Sequence, residues 1–372
     1  MVPSHGVGWK GRALALPKID SAKRRPVRWF TRGMYSSFRR GHPFGAPASK
    51  ARCEITSEQP MADHSLSAAP THSRWNRRLA PRLTIAPGDT VHLECQDASG
   101  AQVHPGMTLS EYLAIDRDRI HALTGPISVD GAEPGDVLQI EVLEVAHKGW
   151  GWSSVIAGLG FLKERFREPY LFHWQLDGAV SRSLSPAVVP LRPFCGVMGV
   201  APAEDGEFRT RPPGVFGGNM DVRDLCAGAK LYLPVLNRGA LFSAGDAHAA
   251  QGDGEVCING IECPADVTLR FHLHKQQPLP APLIEAPPPR EPHWDNGAWV
   301  VVESATDGTA AARAATSRMI DLLVARWGFS DVHAYILCSA AMHLRFSQVV
   351  NDPMFTVSAL LPKHILPSRE LF

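Results

Sequence analysis

Residues 243–256, SAGDAHAAQGDGEV, concentrate side chains that could bind a metal ion or transfer a proton. If GDAHAA is extended, Asp246 and His248 project from the same face, because side chains alternate along a strand. A carboxylate and an imidazole placed in this way are typical ligands of zinc or a similar divalent ion. Two following glycines let the chain bend back and carry Glu255 toward the same pocket, as a third ligand or a general base. Gly-Asp and Asp-Gly pairs are also ordinary turn formers, so a solvent-exposed turn is the alternative interpretation.

A second candidate segment is FGGNMD, residues 216–221. Gly217 and Gly218 permit a ligand to approach the backbone closely, and Asn219 offers both a donor and an acceptor. We therefore consider the two glycine amides and the Asn219 side chain as stabilisers of an oxyanion. Asp221 is a candidate third metal ligand. A tight hairpin turn with Asn in a left-handed conformation is the alternative.

Two further residues are candidates for substrate contacts. His121, in IHALTGPISV, precedes a Thr-Gly-Pro turn and could reach a pocket rim or lie in the core. Gln251 lies within the 243–256 segment. Cys195 could be imagined as a nucleophile, but no base lies near it in the sequence, which favours a buried thiol. The chain has no G-x-S-x-G, no G-x-x-x-x-G-K-[ST] and no H-E-x-x-H, so the common hydrolase elbow, the P-loop and the helical zinc signature are excluded.

Composition describes an ordinary globular protein of 372 residues with 44% hydrophobic residues and a formal net charge of +1. A near-neutral charge gives no electrostatic reason to expect nucleic acid or an anionic membrane as a partner. No run of eighteen apolar residues exists, so no membrane span is predicted. Seven scattered cysteines without C-x-x-C spacing predict reduced thiols in a cytoplasmic protein.

Alternating apolar and polar residues around Pro-Gly-Asp turns predict a mainly β fold. The pattern occurs in PRLTIAPGDTVHLEC and again in VDGAEPGDVLQIEVLEV. LYLPVLNRGALFSAGDAHAA predicts two strands in a hairpin-like connection across residues 237–239. The 32 glycines and 31 prolines favour many short strands over helices.

Changes in composition and hydrophobic pattern along the chain predict four regions. Residues 1–60 carry twelve Lys or Arg against three Asp or Glu. This composition predicts a disordered basic extension over residues 1–68. The extension is either an organellar transit peptide or an artefact of a natural start at Met61. A β-rich catalytic core is predicted over 69–274, a proline-rich crossing over 275–293 and a small α+β lobe over 294–372. In that lobe, helical periodicity indicates one helix that Gly328 ends and a second that Ser330 caps.

Read together, these segments resemble the acetamidase/formamidase family. The resemblance lies in HSRW, IAPGDTV, HALTGPISVDGAEPGDVLQIEVLEV, PFCGVMGVAP, FGGNMD and, most specifically, GAKLYLPVLNRGALFSAGDAHAAQGDGEV, in the family's order over about residues 70–265. SQVVNDPMFTVSALLPKHIL extends it nearly to the end of the chain. Ala122 departs from the proline usual in the family, and residues 149–174 form an insert rich in tryptophan.

The resemblance implies a β-sandwich or barrel-like fold and hydrolysis of a short linear amide, such as formamide or acetamide, to a carboxylate and ammonia. It also implies a homo-oligomer. We expect Asp246 and His248, joined by Asp221 or by a residue from the N-terminal strands, to hold a divalent metal, with zinc the first candidate. Glu255 is expected to act as the base. A metal-free mechanism, with Asp246 or Glu255 activating water or a cysteine, is the competitor. A non-catalytic β-sandwich that binds small carboxylates or sugars is the alternative from a different class.

Overall fold

Strands make up most of the fold, as the sequence predicts. The computed structural model describes residues 61–287, 297–349 and 353–368, all within the unit formed by residues 59–372. The strands are β1 Asp63–Leu66, β2 Arg74–Trp75, β3 Leu83–Ile85, β4 Thr90–Cys95, β5 Leu123–Val129, β6 Val137–His147, β7 Trp150–Val155, β8 Tyr170–Gln175, β9 Val180–Ser181, β10 Val189–Pro190, β11 Phe194–Gly199, β12 Phe208–Arg209, β13 Gly217–Asn219, β14 Lys230–Pro234, β15 Phe242–His248, β16 Ala265–His274, β17 Leu283–Glu285, β18 Ala298–Ala305, β19 His343–Gln348 and β20 Phe355–Pro362. The helices are α1 Leu109–Leu113, α2 Gly308–Trp327 and α3 Asp331–Ala341, with 3-10 turns at Arg117–Arg119 and Lys363–Ile365.

Two large sheets pack face to face around a common core. One has the strand order β1-β4-β16-β6-β14-β17, and the other has the order β13-β11-β15-β5-β3. The rings of Phe242 on β15 and Phe271 on β16 meet edge to face across the interface, with centroids 5.3 Å apart. Because both sheets turn an apolar face inward, the prediction of a mainly β, sandwich-like fold is confirmed.

The two Pro-Gly-Asp turns share one hydrogen-bonding arrangement. Asp89 accepts the amide hydrogens of Ala86 and Ala62, and Asp136 accepts those of Glu133 and Gln276. In each turn the aspartate closes its own loop and also ties down a distant part of the chain. The strands on either side of each turn, β3 and β4 and then β5 and β6, lie in different sheets. These turns therefore carry the chain from one sheet to the other.

The predicted hairpin across residues 237–239 is wrong. β14 lies between β6 and β17 in the six-stranded sheet, whereas β15 lies between β11 and β5 in the five-stranded sheet. The connection crosses the sandwich, and Asn237 donates hydrogen bonds to the carbonyl groups of Ala201 and Pro202. Apolar residues on consecutive strands are satisfied equally well by facing sheets, so the pattern could not distinguish the two topologies.

The predicted N-terminal extension ends too late in the sequence. Asp63–Leu66 forms a strand that pairs in parallel with Thr90–Leu93, and the Leu66 side chain is buried. This pairing and the Asp89 turn explain why order begins before residue 69. Residues 1–60 lie outside the described residues, as do residues 288–296, which include the end of the proline-rich crossing.

The two predicted helix caps, Gly328 at the end of α2 and Ser330 at the start of α3, are confirmed. Gly328 ends α2 in the left-handed conformation with φ of 73°, and the Ser330 hydroxyl accepts the amide hydrogen of His333 at the start of α3. α2 packs on the sheet β18-β20-β19, and both helices contribute to the same core as the two large sheets. No helix in the described part of the chain combines the length and hydropathy that crossing a bilayer requires.

Candidate active site

Asp246 and His248 lie at the end of β15, as predicted, and face the same cavity. Both are almost fully buried, at 2% and 1% exposure. The Nε2 atom of His248 lies 3.6 Å from Oδ1 of Asp246, and Oδ2 of Asp246 lies 3.8 Å from Nε2 of His121. β15 therefore holds a carboxylate and an imidazole together away from bulk water, and a second imidazole, that of His121, approaches from the segment before β5.

Asp221 and Glu255 reach the same cavity from two loops, so the predicted convergence is present. One ligand atom each from Asp221, His248 and Glu255 lie within 4.8 Å of one another. Asp221, Asp246 and Glu255 all have a positive φ, of 49°, 55° and 43°. This conformation is uncommon for residues other than glycine and clusters at functional sites, where surrounding structure imposes it. The backbone is thus bent at each point where a carboxyl group enters the cavity.

Gly196 on β11 makes room for two of these carboxyl groups. A Cβ atom at this position would lie 2.5 Å from Oδ1 of Asp221 and 2.9 Å from Oδ2 of Asp246. The carbonyl oxygen of Gly196 also accepts the amide hydrogen of Asp221 at 3.2 Å. Glycine is required here by close approach, which no local sequence pattern predicts.

Glu262 is the main residue that the sequence analysis missed. Its Oε1 atom lies 3.1 Å from Nε2 of His248, and the residue is 2% exposed. Asp246, His248 and Glu262 form a second group whose ligand atoms lie within 4.8 Å of one another. Isolated bridges to Trp152 and His248 hold the Glu262 backbone between two strands. This position depends on long-range pairing, which leaves no local signal in the sequence.

Gln251, predicted to contact substrate, lies behind His248. Its Oε1 atom is 2.7 Å from Nδ1 of His248, and its Nε2 atom donates to the carbonyl oxygen of Asp221 at 2.8 Å. Gln251 is 4% exposed and does not line the cavity that holds the carboxyl groups. Its contacts indicate that it orients the imidazole.

The structure does not bring Gly217 and Gly218 to the cavity. They pair with Gly199 and Met198 in the β11–β13 ladder, and the Gly217 amide donates to the carbonyl oxygen of Gly214. The Gly217 amide is therefore not available to an oxyanion, contrary to the prediction. Asn219, the next residue, does line the cavity, and its Oδ1 atom is buried without a hydrogen-bond partner.

The cavity has a volume of about 330 Å³. His121 lines it and donates its backbone amide hydrogen to Thr210 Oγ1 at 2.8 Å, and its contact with substrate stays a prediction. The tryptophan-rich insert 149–174 also borders it, through Trp152, Ile156 and Leu159. The insert therefore shapes the space in front of the carboxyl cluster.

Burial and mutual charge perturb the pKa of every acidic group in the cluster. Burial raises the pKa of Asp221 to about 7 and that of Glu262 to about 8, and it raises the pKa of Glu255 well above its usual range. Burial also opposes ionisation of Asp246, but His121 and His248 outweigh it and hold that pKa below its usual range. Burial lowers the pKa of His248, and Glu262 and Asp246 reverse the effect and raise it. The acidic groups of the cluster therefore outnumber the positive charges that could offset them.

The donor set fits a divalent cation. Four buried oxygen atoms in the cavity, Asn219 Oδ1, Asp221 Oδ1, Asp246 Oδ1 and Glu262 Oε2, have no hydrogen-bond partner among the described residues. Leaving buried polar atoms unpaired is costly, and a cation would satisfy several at once. Carboxylate oxygens together with one imidazole nitrogen form a ligand set that zinc and related ions accept.

The structure gives no support to a cysteine nucleophile. The six cysteines of the described residues are all buried with free thiols, and none lines the cavity. A hydrogen bond with Cys95, together with burial, raises the pKa of Cys195 well above its usual range, and burial raises that of Cys257 to about 12. A thiol held in this state is a poor nucleophile.

A β-sandwich that buries carboxyl and imidazole groups around one cavity defines a site of hydrolase type. The chain belongs to the acetamidase/formamidase family, whose sequence profile matches residues 54–207 and 203–368. The prediction of an amide hydrolase for linear amides is thereby confirmed over the alternative of a binding module.

Individual relatives agree with this assignment. The acetamidase of Mycolicibacterium smegmatis is 27% identical in an alignment of 355 positions, and the match covers 74% of this chain and 87% of that protein. A gamma lactamase from Delftia acidovorans superposes with a TM-score of 0.76 at 25% identity, over 81% of this chain and 90% of its own. An acetamidase from Bacillus halodurans has a TM-score of 0.58 at 34% identity, over 81% and 97%.

Proposed function

We propose that the protein hydrolyses the carbon–nitrogen bond of a short primary amide by activating water within the carboxyl cluster, with help from a divalent cation. The observation that carries this proposal is the convergence of Asp221, Asp246, His248 and Glu262 beside Glu255 in one buried cavity. Asp221, Asp246, His248 and Glu262 would hold the cation, for which zinc is the first candidate. When bound, the cation supplies Lewis acidity toward the amide oxygen and offsets the negative charge of the cluster.

The residues of the chain divide the remaining work. Glu255 accepts a proton from the attacking water as the oxygen bonds to the carbonyl carbon. Asn219 donates a hydrogen bond to the carbonyl oxygen, where negative charge develops. The carbon–nitrogen bond then breaks, and Glu255 returns the proton to the departing nitrogen. The products are a carboxylic acid, which ionises, and ammonia.

Substitution of the base and of the imidazole tests this assignment. Glu255→Gln should lower kcat for formamide and acetamide by about 10²–10⁴-fold, since it removes the proton acceptor. His248→Ala should lower bound metal below one equivalent together with turnover. Ammonia release and metal content by plasma mass spectrometry measure these effects. The exposed residues Glu144 and His92 provide matched controls as Glu144→Gln and His92→Ala.

Three results would contradict parts of the proposal. Wild-type turnover in Glu255→Gln would reject Glu255 as the base. A fully active protein that contains no metal before or after chelation would reject the cation and leave base-activated water. No turnover of any short amide by metal-loaded protein would reject the hydrolase itself.

Assembly and location stay predictions. We propose a homo-oligomer, which light scattering coupled to size-exclusion chromatography would measure directly. A monomer at micromolar concentration would contradict it. The cytoplasmic location is proposed from cysteine usage alone.

A further inference from the structure

The cavity is larger than formamide or acetamide requires. A water molecule in the liquid takes up about 30 Å³, so a cavity of about 330 Å³ has room for roughly ten non-hydrogen atoms. Acetamide and the attacking water would fill about half of that space or less. A substrate that fills the cavity carries a longer acyl group.

Apart from the carboxyl cluster, much of the cavity lining is apolar. Trp152, Ile156 and Leu159 come from the insert, and Ile120 and Ile258 lie elsewhere on the lining. Ile258 has φ of 98°, an outlier for a β-branched residue. These side chains suit a short methylene chain between the amide and whatever group lies at the mouth.

Three arginines line the same cavity, and two of them have partners within the protein. Arg117 donates to the hydroxyl of Tyr112 at 3.2 Å and lies 4.5 Å from the centre of its ring. Arg209 pairs with Asp118 at 3.1 Å. Arg211 is exposed and has no hydrogen bond or ion pair with any other residue that the structure describes. Its guanidinium group is the one available to a ligand.

We propose that the preferred substrate is a primary amide whose acyl chain ends in a carboxylate, and that Arg211 binds this carboxylate at the mouth of the cavity. The inference rests on the proposed function and specifies its substrate class. The planar guanidinium fork matches a carboxylate with two parallel hydrogen bonds. The carboxyl cluster and Arg211 would together orient the substrate, with its amide toward the cluster and its carboxylate toward the mouth of the cavity.

A pair of amides that differ in one group tests this proposal. Succinamate has a carboxylate where succinamide has a second neutral amide, and the two have nearly the same shape. Wild-type protein should show a kcat/KM at least tenfold higher for succinamate, mainly through a lower KM. Arg211→Gln should reduce this ratio by about 10–100-fold, the usual range for a charge-assisted hydrogen bond. Arg211→Lys should recover part of it.

Two other arginines serve as comparisons. Arg209→Gln should change the ratio less, because Arg209 already pairs with Asp118. Arg238 pairs with Glu133 outside the cavity, so Arg238→Gln should leave the ratio unchanged. Because the ratio is measured within one preparation, partial loss of folded protein does not alter it.

Each outcome decides the inference. Equal kcat/KM for the two amides in wild-type protein would overturn it while leaving the hydrolase function intact. A preference for succinamate that survives Arg211→Gln would overturn the assignment to Arg211. If no amide is hydrolysed, the proposed function fails. Titration calorimetry of wild-type protein with both amides then tests the inference separately, and equal affinities would overturn it.

Discussion

Gln251 fixes which nitrogen of His248 faces the carboxyl cluster. Its Nε2 atom is committed to the carbonyl oxygen of Asp221, so its Oε1 atom faces the imidazole and accepts from Nδ1. The Nε2 atom of His248 is then directed at Glu262 and Asp246. A residue that sets the tautomer and ring orientation of a ligand in this way acts through that ligand.

Replacing Gln251 by leucine should weaken metal binding and activity together by about 10–100-fold, the range observed when the partner of a ligating histidine is removed. Gln251→Glu, which keeps an acceptor toward Nδ1, should retain more of both. Competition with a chelator measures the affinity, and ammonia release measures the activity. Gln175 is exposed on β8, so Gln175→Leu is the matched control. Unchanged chelator competition in Gln251→Leu would argue that Gln251 has only a packing role.

The site residues differ in how far sequence could predict them. Asp246, His248 and Glu255 share one short segment, so local chemistry and spacing were enough to propose a common site. Glu262 reaches His248 only through bridges to distant strands, and Arg211 lies in an exposed segment without regular pattern. Residues placed by long-range pairing leave no mark in local spacing.

Strands β11 and β15 together shape the part of the cavity where Asp221 and Asp246 lie. Gly196 on β11 lies opposite the bend at Asp246 on β15. Because glycine has no side chain, Asp221 and Asp246 can lie side by side there. The requirement is steric. It is invisible in a sequence where PFCGVMG reads as an ordinary strand with two glycines.

Gly196→Ala should separate the two carboxyl groups and lower kcat/KM by at least about tenfold, the level typical of lost ligand orientation. The overpacking should also lower the free energy of unfolding by about 1–3 kcal/mol. Gly199→Ala in the same strand is the control, because its Cβ would meet Gly218 N at 2.7 Å and no carboxyl group. Denaturant unfolding and amide turnover at 25 °C separate the effects. If both variants lose stability equally and neither loses activity, the steric account of Gly196 is wrong.

Element types were easier to predict than element partners. The Pro-Gly-Asp turns and the caps at Ser330 and Gly328 depend on neighbours within a few residues, and the structure has them. The hairpin across residues 237–239 failed because it depends on which sheet each strand joins. In a two-sheet sandwich, consecutive strands can pair or face each other with the same apolar pattern.

Across the whole molecule, the C-terminal helices support the loop that carries Glu255. The Ser339 hydroxyl on α3 donates to the carbonyl oxygen of Asn259 at 2.7 Å and accepts the amide hydrogen of Cys257 at 3.1 Å. The amide of Gly252 donates to the carbonyl oxygen of Ser339 at 2.8 Å. Both ends of the loop are thus attached to one helix about 80 residues further along the chain. Ser339 does not line the cavity, so this part of the C-terminal region contributes to the geometry of the site through the loop.

Ser339→Ala tests this support. Removing the hydroxyl leaves the Asn259 carbonyl and the Cys257 amide without that partner, which should lower the free energy of unfolding by about 1–3 kcal/mol. Because the loop then holds Glu255 less firmly, kcat should fall as well, and hydrogen exchange over residues 252–261 should quicken. Thr316→Val is the control, since its buried hydroxyl bonds only to Ala312 within α2 and should affect stability alone. Exchange in the loop that matches wild type, despite the lost stability, would show that β15 and the floor of the cavity hold Glu255 by themselves.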